Sequence, residues 1–257
     1  FGKALALKNR IRLVLDITWY INADRKFALG ELNISFHKII SHKFIFSFLK
    51  YVFRMPVIKD NGFFEEQNLS GADMSILDGH WECYKYFEGI LSLLKKEFTL
   101  RNPSSMFFEY AGGIKKNDSI AVHVRRGDYL LPKNKNKFMQ NRLYYESAVA
   151  KIIRKASMNK PQIIIFSDDA RWCIKTLKYI CGHQTVIFNK SGVTDTEQMI
   201  LMSLCTHNVI SNSTFSWWSA FLNKNQNKII VSPRSWSKDN TEQKKAEGLI
   251  MPEWIVV

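Results

Sequence analysis

From residue 117 onward, short apolar runs alternate with helix-length segments: strand 119–124, helix 144–156, strand 162–167, helix 170–180, strand 185–188, helix 195–205, strand 207–211, helix 214–223 and strand 228–232. Strands separated by helices of this length pair in parallel through right-handed crossovers, so this half is expected to be a doubly wound α/β sheet. The pattern is Rossmann-like. No Gly-x-Gly-x-x-Gly follows its first strand, which argues against a nicotinamide or flavin dinucleotide.

In a parallel sheet every carboxyl end lies on one edge, where open α/β sheets present ligand sites. Three of these ends carry polar groups. Ile120-Ala121-Val122 runs into His123-Val124-Arg125-Arg126-Gly127-Asp128-Tyr129, Ile163 to Phe166 ends in Ser167-Asp168-Asp169, and Val209-Ile210 ends in Ser211-Asn212-Ser213-Thr214. A planar guanidinium matches the oxygens of a phosphate, so Arg125 and Arg126 suggest a phosphate or pyrophosphate clamp. Ser213, Thr214 and Ser216, at the start of the following helix, offer hydroxyls and unpaired backbone N–H groups. Asp168 or Asp169 could take the edge of a base or the hydroxyls of a ribose. Blander readings stand beside these: Asp128 as the ion-pair partner of an arginine, and Ser213 or Thr214 as a helix cap. Asp168-Asp169 or Asp195-Thr196-Glu197 could hold a metal, but two arginines already neutralise a pyrophosphate, so no metal is expected. Arg126-Gly127-Asp128 also spells an adhesion tripeptide, a reading set aside because no signal-peptide pattern precedes it.

The first half is less regular. Residues 12–17 read as a buried strand and 31–36 as a second, edge-like one. Residues 37–60 interleave His37, Lys38, His42, Lys43, Phe44, Phe46, Lys50, Tyr51 and Arg54. Such a stretch suits an amphipathic helix of the domain, a membrane-surface helix or a single-stranded nucleic-acid binder. Leu77-Asp78-Gly79-His80-Trp81 reads as a strand end and turn, with His80 kept as an acceptor contact, and 84–98 carries a helical pattern. Asn102-Pro103-Ser104-Ser105 and Gly112-Gly113 put the boundary at 112–118, giving halves 1–115 and 116–257. The last residues are expected to pack back on the N-terminal half. Phe1-Gly2-Lys3-Ala4-Leu5-Ala6 reads as the middle of a helix, as if a segment preceded it.

The chain's 257 residues, 46% hydrophobic, can bury a core, and its net charge of +14 implies an anionic partner without choosing among nucleic acid, membrane surface and phosphorylated ligand. No run approaches the roughly 18 apolar residues of a membrane span. Cys83, Cys173, Cys181 and Cys205 show no CxxC or zinc-finger spacing and read as buried free thiols of a cytoplasmic protein. Triplets such as Asn33-Ile34-Ser35 and Asn68-Leu69-Ser70 are then chance matches to the glycosylation signal.

Taken together, these motifs resemble glycosyltransferase family 11, the bacterial α-1,2-fucosyltransferases. His123 to Tyr129 is similar to its first signature, Phe166-Ser167-Asp168-Asp169 to its second, and Leu201-Met202-Ser203-Leu204-Cys205 through Ser211 to Ala220 to its third. Leu77 to Trp81 with Lys85-Tyr86-Phe87, and Pro252-Glu253-Trp254, are similar as well. The resemblance implies a GT-B-like fold of two facing Rossmann-like domains, GDP-fucose as donor, inversion at the fucose anomeric carbon and no metal or other cofactor. It would set Arg125 on the β-phosphate, with His123, Arg126, Ser213, Thr214 and Ser216 around the donor and Asp168 and Asp169 toward the guanosine. Where members carry an aspartate for the nucleoside, this chain has Gln198, with Glu197 beside it. Members also begin with a strand and glycine-rich loop that would precede Phe1.

Arg125 and Asp128 are the expected catalytic pair, the arginine stabilising the leaving diphosphate and the aspartate serving as base or as the group that holds Arg126. His80, Trp81 and Tyr129 are the expected acceptor contacts. The acceptor would be a galactose-terminated glycan, with a lipid-linked one met by a cytoplasmic enzyme at the anionic inner face of the membrane. An α-1,6 or peptide-directed fucosyltransferase shares the arginine motif, and a basic nucleic-acid-binding protein is the reading from a different class; the transferase reading expects no nucleic-acid partner.

Overall fold

The computed structural model of the chain describes residues 1–23, 26–65, 74–115, 118–188 and 191–257; the triplet Asn68-Leu69-Ser70 lies outside them. The chain divides into two compact units, Phe1–Arg101 and Asn102–Val257. This division falls earlier than the expected 115/116, because the Gly112-Gly113 pair sits inside a helix, Ser105–Lys115, rather than at a break. That helix belongs to the second unit, where the Ser104 backbone N–H ahead of it donates to the Glu197 carboxylate at 2.5 Å.

In the first unit, helix α1 (Gly2–Asn9) precedes strand β1 (Val14–Asp16), which pairs in parallel with β2 (Lys38–Ile40). Residues 31–36 are not a strand. Leu29–Glu31 is a 3₁₀ turn, Leu32 is buried in an isolated bridge with Leu100, and the Asn33 side chain donates to Thr99 Oγ1 at 3.0 Å, which draws the segment away from a ladder. Helix α2 (Lys43–Val52) covers only the middle of 37–60. Arg54 adopts φ 45° and Pro56 follows Met55, two reasons for the helix to stop before strand β3 (Val57–Lys59). β3 pairs in parallel with β4 (Ile76–Asp78), and a 3₁₀ helix, Tyr84–Ile90, leads into α3 (Leu91–Glu97). The resemblance implies a Rossmann-like sheet here; among the described residues the unit has two separate two-stranded parallel sheets.

The second unit carries the expected sheet. In chain order it runs α4 (Ser105–Lys115), β5 (Ser119–Val124), α5 (Arg142–Ala156), β6 (Gln162–Ser167), α6 (Ala170–Thr176), β7 (Tyr179–Ile180), β8 (His183–Ile187), α7 (Asp195–Ser203), β9 (His207–Val209), α8 (Thr214–Leu222), β10 (Ile230–Ser232), α9 (Asn240–Ala246) and β11 (Ile255–Val256). The strand order is β11-β10-β9-β5-β6-β8-β7, parallel except for β7 against β8. Every residue of β5 is buried, as expected of a central strand with both faces covered. Ile120, Val122, Ile163, Ile165 and Val209 form the core with Val149 and Ile152 of α5, and each such side chain contributes about 1.5–3 kcal/mol by leaving water.

Three details depart from expectation. The helix expected over 170–180 ends at Thr176, because Cys181 (φ 51°) and Gly182 (φ 81°) form a two-residue turn of the kind that closes hairpins, pairing Tyr179-Ile180 with β8. Cys181 on that turn is exposed, whereas Cys83, Cys173 and Cys205 are buried as read; all four are free. The last residues form a strand that the alternation does not announce: Ile255 and Val256 pair with Val231 and Ser232, extending this sheet. Among the described residues no helix is long and apolar enough to cross a membrane.

Candidate active site

The sheet grows outward from β5 in two directions, through β6 and β8 on one side and through β9, β10 and β11 on the other. The strand order therefore reverses between β5 and β9, and chains leaving the carboxyl ends of those two strands part to leave a crevice. Arg125 and Arg126 leave β5 at this point. Register supplies their partners: Val124 lies opposite Ser167, so Asp168 and Asp169 emerge from β6 beside the two arginines.

The result is a dense ionic lattice. Asp168 bridges both arginines, Oδ2 lying 3.0 Å from Arg125 Nη1 and Oδ1 accepting from the Arg126 backbone N–H at 2.8 Å. Arg125 Nε is 2.9 Å from Asp128 Oδ1, and Arg126 Nε is 3.3 Å from Asp169 Oδ2. Asp128 is thus ion-paired with Arg125. The Asp169 carboxylate also caps α6 by accepting from the Trp172 N–H at 3.0 Å, and the Trp172 ring lies 4.2 Å from the Arg126 guanidinium carbon, within cation–π range. Gly127 is required by close approach: a Cβ there would sit 2.9 Å from Asp168 Oδ2 and 3.1 Å from its Cγ.

The β9 side is tied to the same loop. Tyr129, whose ring lies 5.9 Å from the Arg125 guanidinium carbon, donates its hydroxyl to the Asn212 carbonyl at 2.6 Å. The Asn212 side chain donates to the Phe138 and Trp236 carbonyls at 2.7 and 2.8 Å, pinning the residues that lead into α8. His123 is buried within β5, its Nδ1 2.8 Å from Ser211 Oγ; burial, aided by the charge of Arg125, lowers its pKa from 6.5 to about 3, so the ring is neutral. Ser213 caps α8 without a side-chain hydrogen bond, and Ser213 and Thr214 are half-buried at the head of this helix. Ser216 is fully buried, its hydroxyl donating to the Ser213 carbonyl at 3.1 Å.

Gln198 is buried on α7. Glu197 is committed to structure: with Thr194 it forms a capping box, its Oε2 accepting from the Thr194 N–H at 2.8 Å while Oε1 takes the Ser104 N–H. Burial raises its pKa, but these hydrogen bonds outweigh burial and the net shift is downward. Trp81 belongs to the core of the first unit, stacked on Phe1 with centroids 4.3 Å apart, its backbone N–H donating to Asp60 Oδ2 at 2.7 Å. His80 is exposed in the same turn. Trp172 and Asn212 were legible only as motif neighbours: Trp172 stands three residues after Asp169, the spacing of a cap and its acceptor, and Asn212 lies inside a quoted motif with no role assigned to it.

A cleft of about 530 Å³ opens at the opposite edge of the sheet, where Asp118, Lys155, His207, Lys228 and Glu253 surround the amino ends of β5, β9 and β10. Its charges are mixed and it lies away from the reversal in strand order, so the arginine edge is the stronger candidate.

Comparison with known proteins agrees with this geometry. The profile of glycosyl transferase family 11 matches residues 35–257. An O-antigen biosynthesis glycosyltransferase of Escherichia coli, WbnK, is 28% identical over 99% of this chain and 94% of its own length. An alpha-1,2-colitosyltransferase of Escherichia coli is 28% identical over 91% of this chain and 86% of its own. Galactoside alpha-(1,2)-fucosyltransferase 1 of Mus musculus is 24% identical over 70% of this chain and 50% of its own. Matched over most of its length and carrying a Rossmann-like strand order with paired arginines at the switch point, the chain belongs to glycosyl transferase family 11.

Proposed function

We propose that the protein transfers L-fucose from GDP-fucose to the 2-hydroxyl of a terminal galactose, with inversion and without a metal ion. The observation that carries this reading is the pair of guanidinium groups held by Asp128, Asp168 and Asp169 at the carboxyl end of β5. When the acceptor hydroxyl oxygen attacks the fucosyl carbon, the bond to the diphosphate oxygen breaks, the hydroxyl proton is lost to solvent or to a nearby base, and negative charge grows on the β-phosphate. A guanidinium already fixed in place stabilises that charge with little reorganisation, which is worth about 3–4 kcal/mol for a single well-placed donor. Arg125 meets the departing oxygen, Arg126 and the head of α8 at Ser213 and Thr214 take the remaining phosphate oxygens, and Asp128 is assigned to positioning Arg125. Acceptor recognition is assigned to the first unit, as the GT-B-like arrangement implies, with a lipid-linked glycan as the acceptor class.

A second donor is favoured by one observation, the coverage of the colitosyltransferase relative, which matches 91% of this chain. Colitose is fucose without its 3-hydroxyl, so the same phosphate site would serve either sugar. Calorimetry with GDP, ADP and UDP at fixed salt tests the nucleotide, and turnover of GDP-fucose against GDP-colitose tests the sugar. GDP binding preferred over ADP and UDP, activity that survives a chelator, and a loss of about 10²–10³-fold in Arg125→Ala with an unchanged melting temperature are expected. Equal binding of the three nucleotides, or near-normal turnover in Arg125→Ala, overturns the reading.

A further inference from the structure

Helix α2 is amphipathic, yet none of its residues is buried. At 3.6 residues per turn, Lys43, Ser47 and Lys50 fall on one stripe, Phe44, Phe48 and Tyr51 on the next, and Ile45 and Val52 beyond them. Phe46 and Leu49 are the partly covered positions. The apolar stripe is open to solvent: Phe44 is 82% exposed, Phe48 55% and Tyr51 85%, with the Phe44 and Phe48 rings stacked on each other at 6.4 Å. Aromatic side chains left this open on a folded unit mark a docking surface.

Charge identifies the partner. Residues 32–59 hold Lys38, Lys43, Lys50, Arg54 and Lys59 and no aspartate or glutamate, so the helix and its flanking chain carry positive charge without acidic residues of their own. A second patch lies at the same end of the small sheet. β1 and β2 are parallel, so the 3₁₀ turn after β1, Thr18–Asn22, leaves from the edge where the chain enters α2, and Trp19 there is 68% exposed and Ile21 55%. Exposed aromatic and aliphatic groups beside uncompensated Lys and Arg are the chemistry of a helix lying in a lipid interface, its rings among the acyl chains and its cations at anionic headgroups. We infer that α2 docks the protein on an anionic bilayer surface. The inference does not depend on the reading of the arginine site, since the two lie in different units.

The test is flotation of the 257-residue chain with vesicles of phosphatidylcholine alone or with about 30% phosphatidylglycerol. Retention by the anionic vesicles, lost in high salt and absent on neutral ones, is expected. Lys43→Ala with Lys50→Ala should weaken retention about 30-fold, two headgroup contacts each contributing a factor of about 5. Phe44→Ser with Phe48→Ser should remove it, while Leu143→Ser, at an exposed leucine of α5 in the second unit, should leave it unchanged. All five positions are solvent-exposed, so the variants should keep the wild-type circular dichroism and melting temperature. Absence of retention on anionic vesicles, equal retention on neutral ones, or undiminished retention in either double variant overturns the inference. So does a wild-type dimer that Phe44→Ser/Phe48→Ser dissolves without any vesicle binding, which would make the occupant a second copy, or retention by a polynucleotide in place of vesicles.

Discussion

At the scale of single residues, the site is a problem of keeping two adjacent arginines apart and aimed. Arg125 and Arg126 are adjacent, and each is captured by a carboxylate from the end of β6, Asp168 and Asp169 respectively, with Asp128 of the same loop also on Arg125. His123, buried in β5, meets Ser211 across the sheet. Its folded pKa of about 3 against an ordinary 6.5, caused first by burial and then by Arg125, means that between these values the unfolded chain binds a proton the folded one refuses. Stability from this group is therefore fully present above pH 6.5 and is lost as pH falls toward 3, at about 1.4 kcal/mol per pH unit within the window. The melting temperature of His123→Gln should fall less steeply than wild type between pH 6.5 and 4, the carboxylates contributing the same slope to both; parallel curves would contradict the assignment.

At the scale of elements, the site depends on how each helix begins. α6 starts on Asp169, which also pairs with Arg126, so the cap and the clamp share one carboxylate. α7 starts on the Thr194–Glu197 capping box, which also secures the Ser104 backbone. Glu197→Ala removes both attachments of a buried carboxylate and should cost about 2–3 kcal/mol in thermal or urea unfolding. GDP affinity measured by calorimetry should stay within a few-fold of wild type. A large loss of GDP affinity with unchanged stability would instead make Glu197 a nucleoside contact.

For the whole molecule, the two units differ in what holds them together. Asn102–Val257 contains a seven-stranded sheet with a continuous core, whereas the described residues of Phe1–Arg101 form two two-stranded sheets and a small aromatic cluster around Trp81 and Tyr86. Isolated two-stranded sheets are marginal in water. A fragment spanning 102–257 should therefore unfold in one cooperative transition with dispersed amide resonances, and a fragment spanning 1–101 should not. The reverse result would place the stabilising core in the wrong unit.

The sequence alone determined the parallel sheet and the edge on which its chemistry lies. Apolar runs such as Ile120 to Val122 and Ile163 to Phe166, separated by helix-length segments, leave few other arrangements, and polar groups after such runs must gather at the carboxyl ends. The motif resemblance led to the family from the same residues. Tertiary structure decided the rest, because it depended on contacts between residues distant in sequence or on segments too short to show a period. β7 and β11 are two residues each and carry no periodic signal; β11 exists because β10 offers an open edge. The 31–36 segment has strand-like composition, but Leu32 and Asn33 are claimed by Leu100 and Thr99. Which carboxylate holds which arginine follows from the β5–β6 register, which sets Asp168 beside Arg126 across 42 residues of chain. That Glu197 completes a cap, Trp81 packs in a core and the Ser216 hydroxyl meets a backbone carbonyl follows from neighbours that the residue types do not announce. A residue's chemistry is written in its side chain, but whether that side chain is available is settled by the groups folded against it.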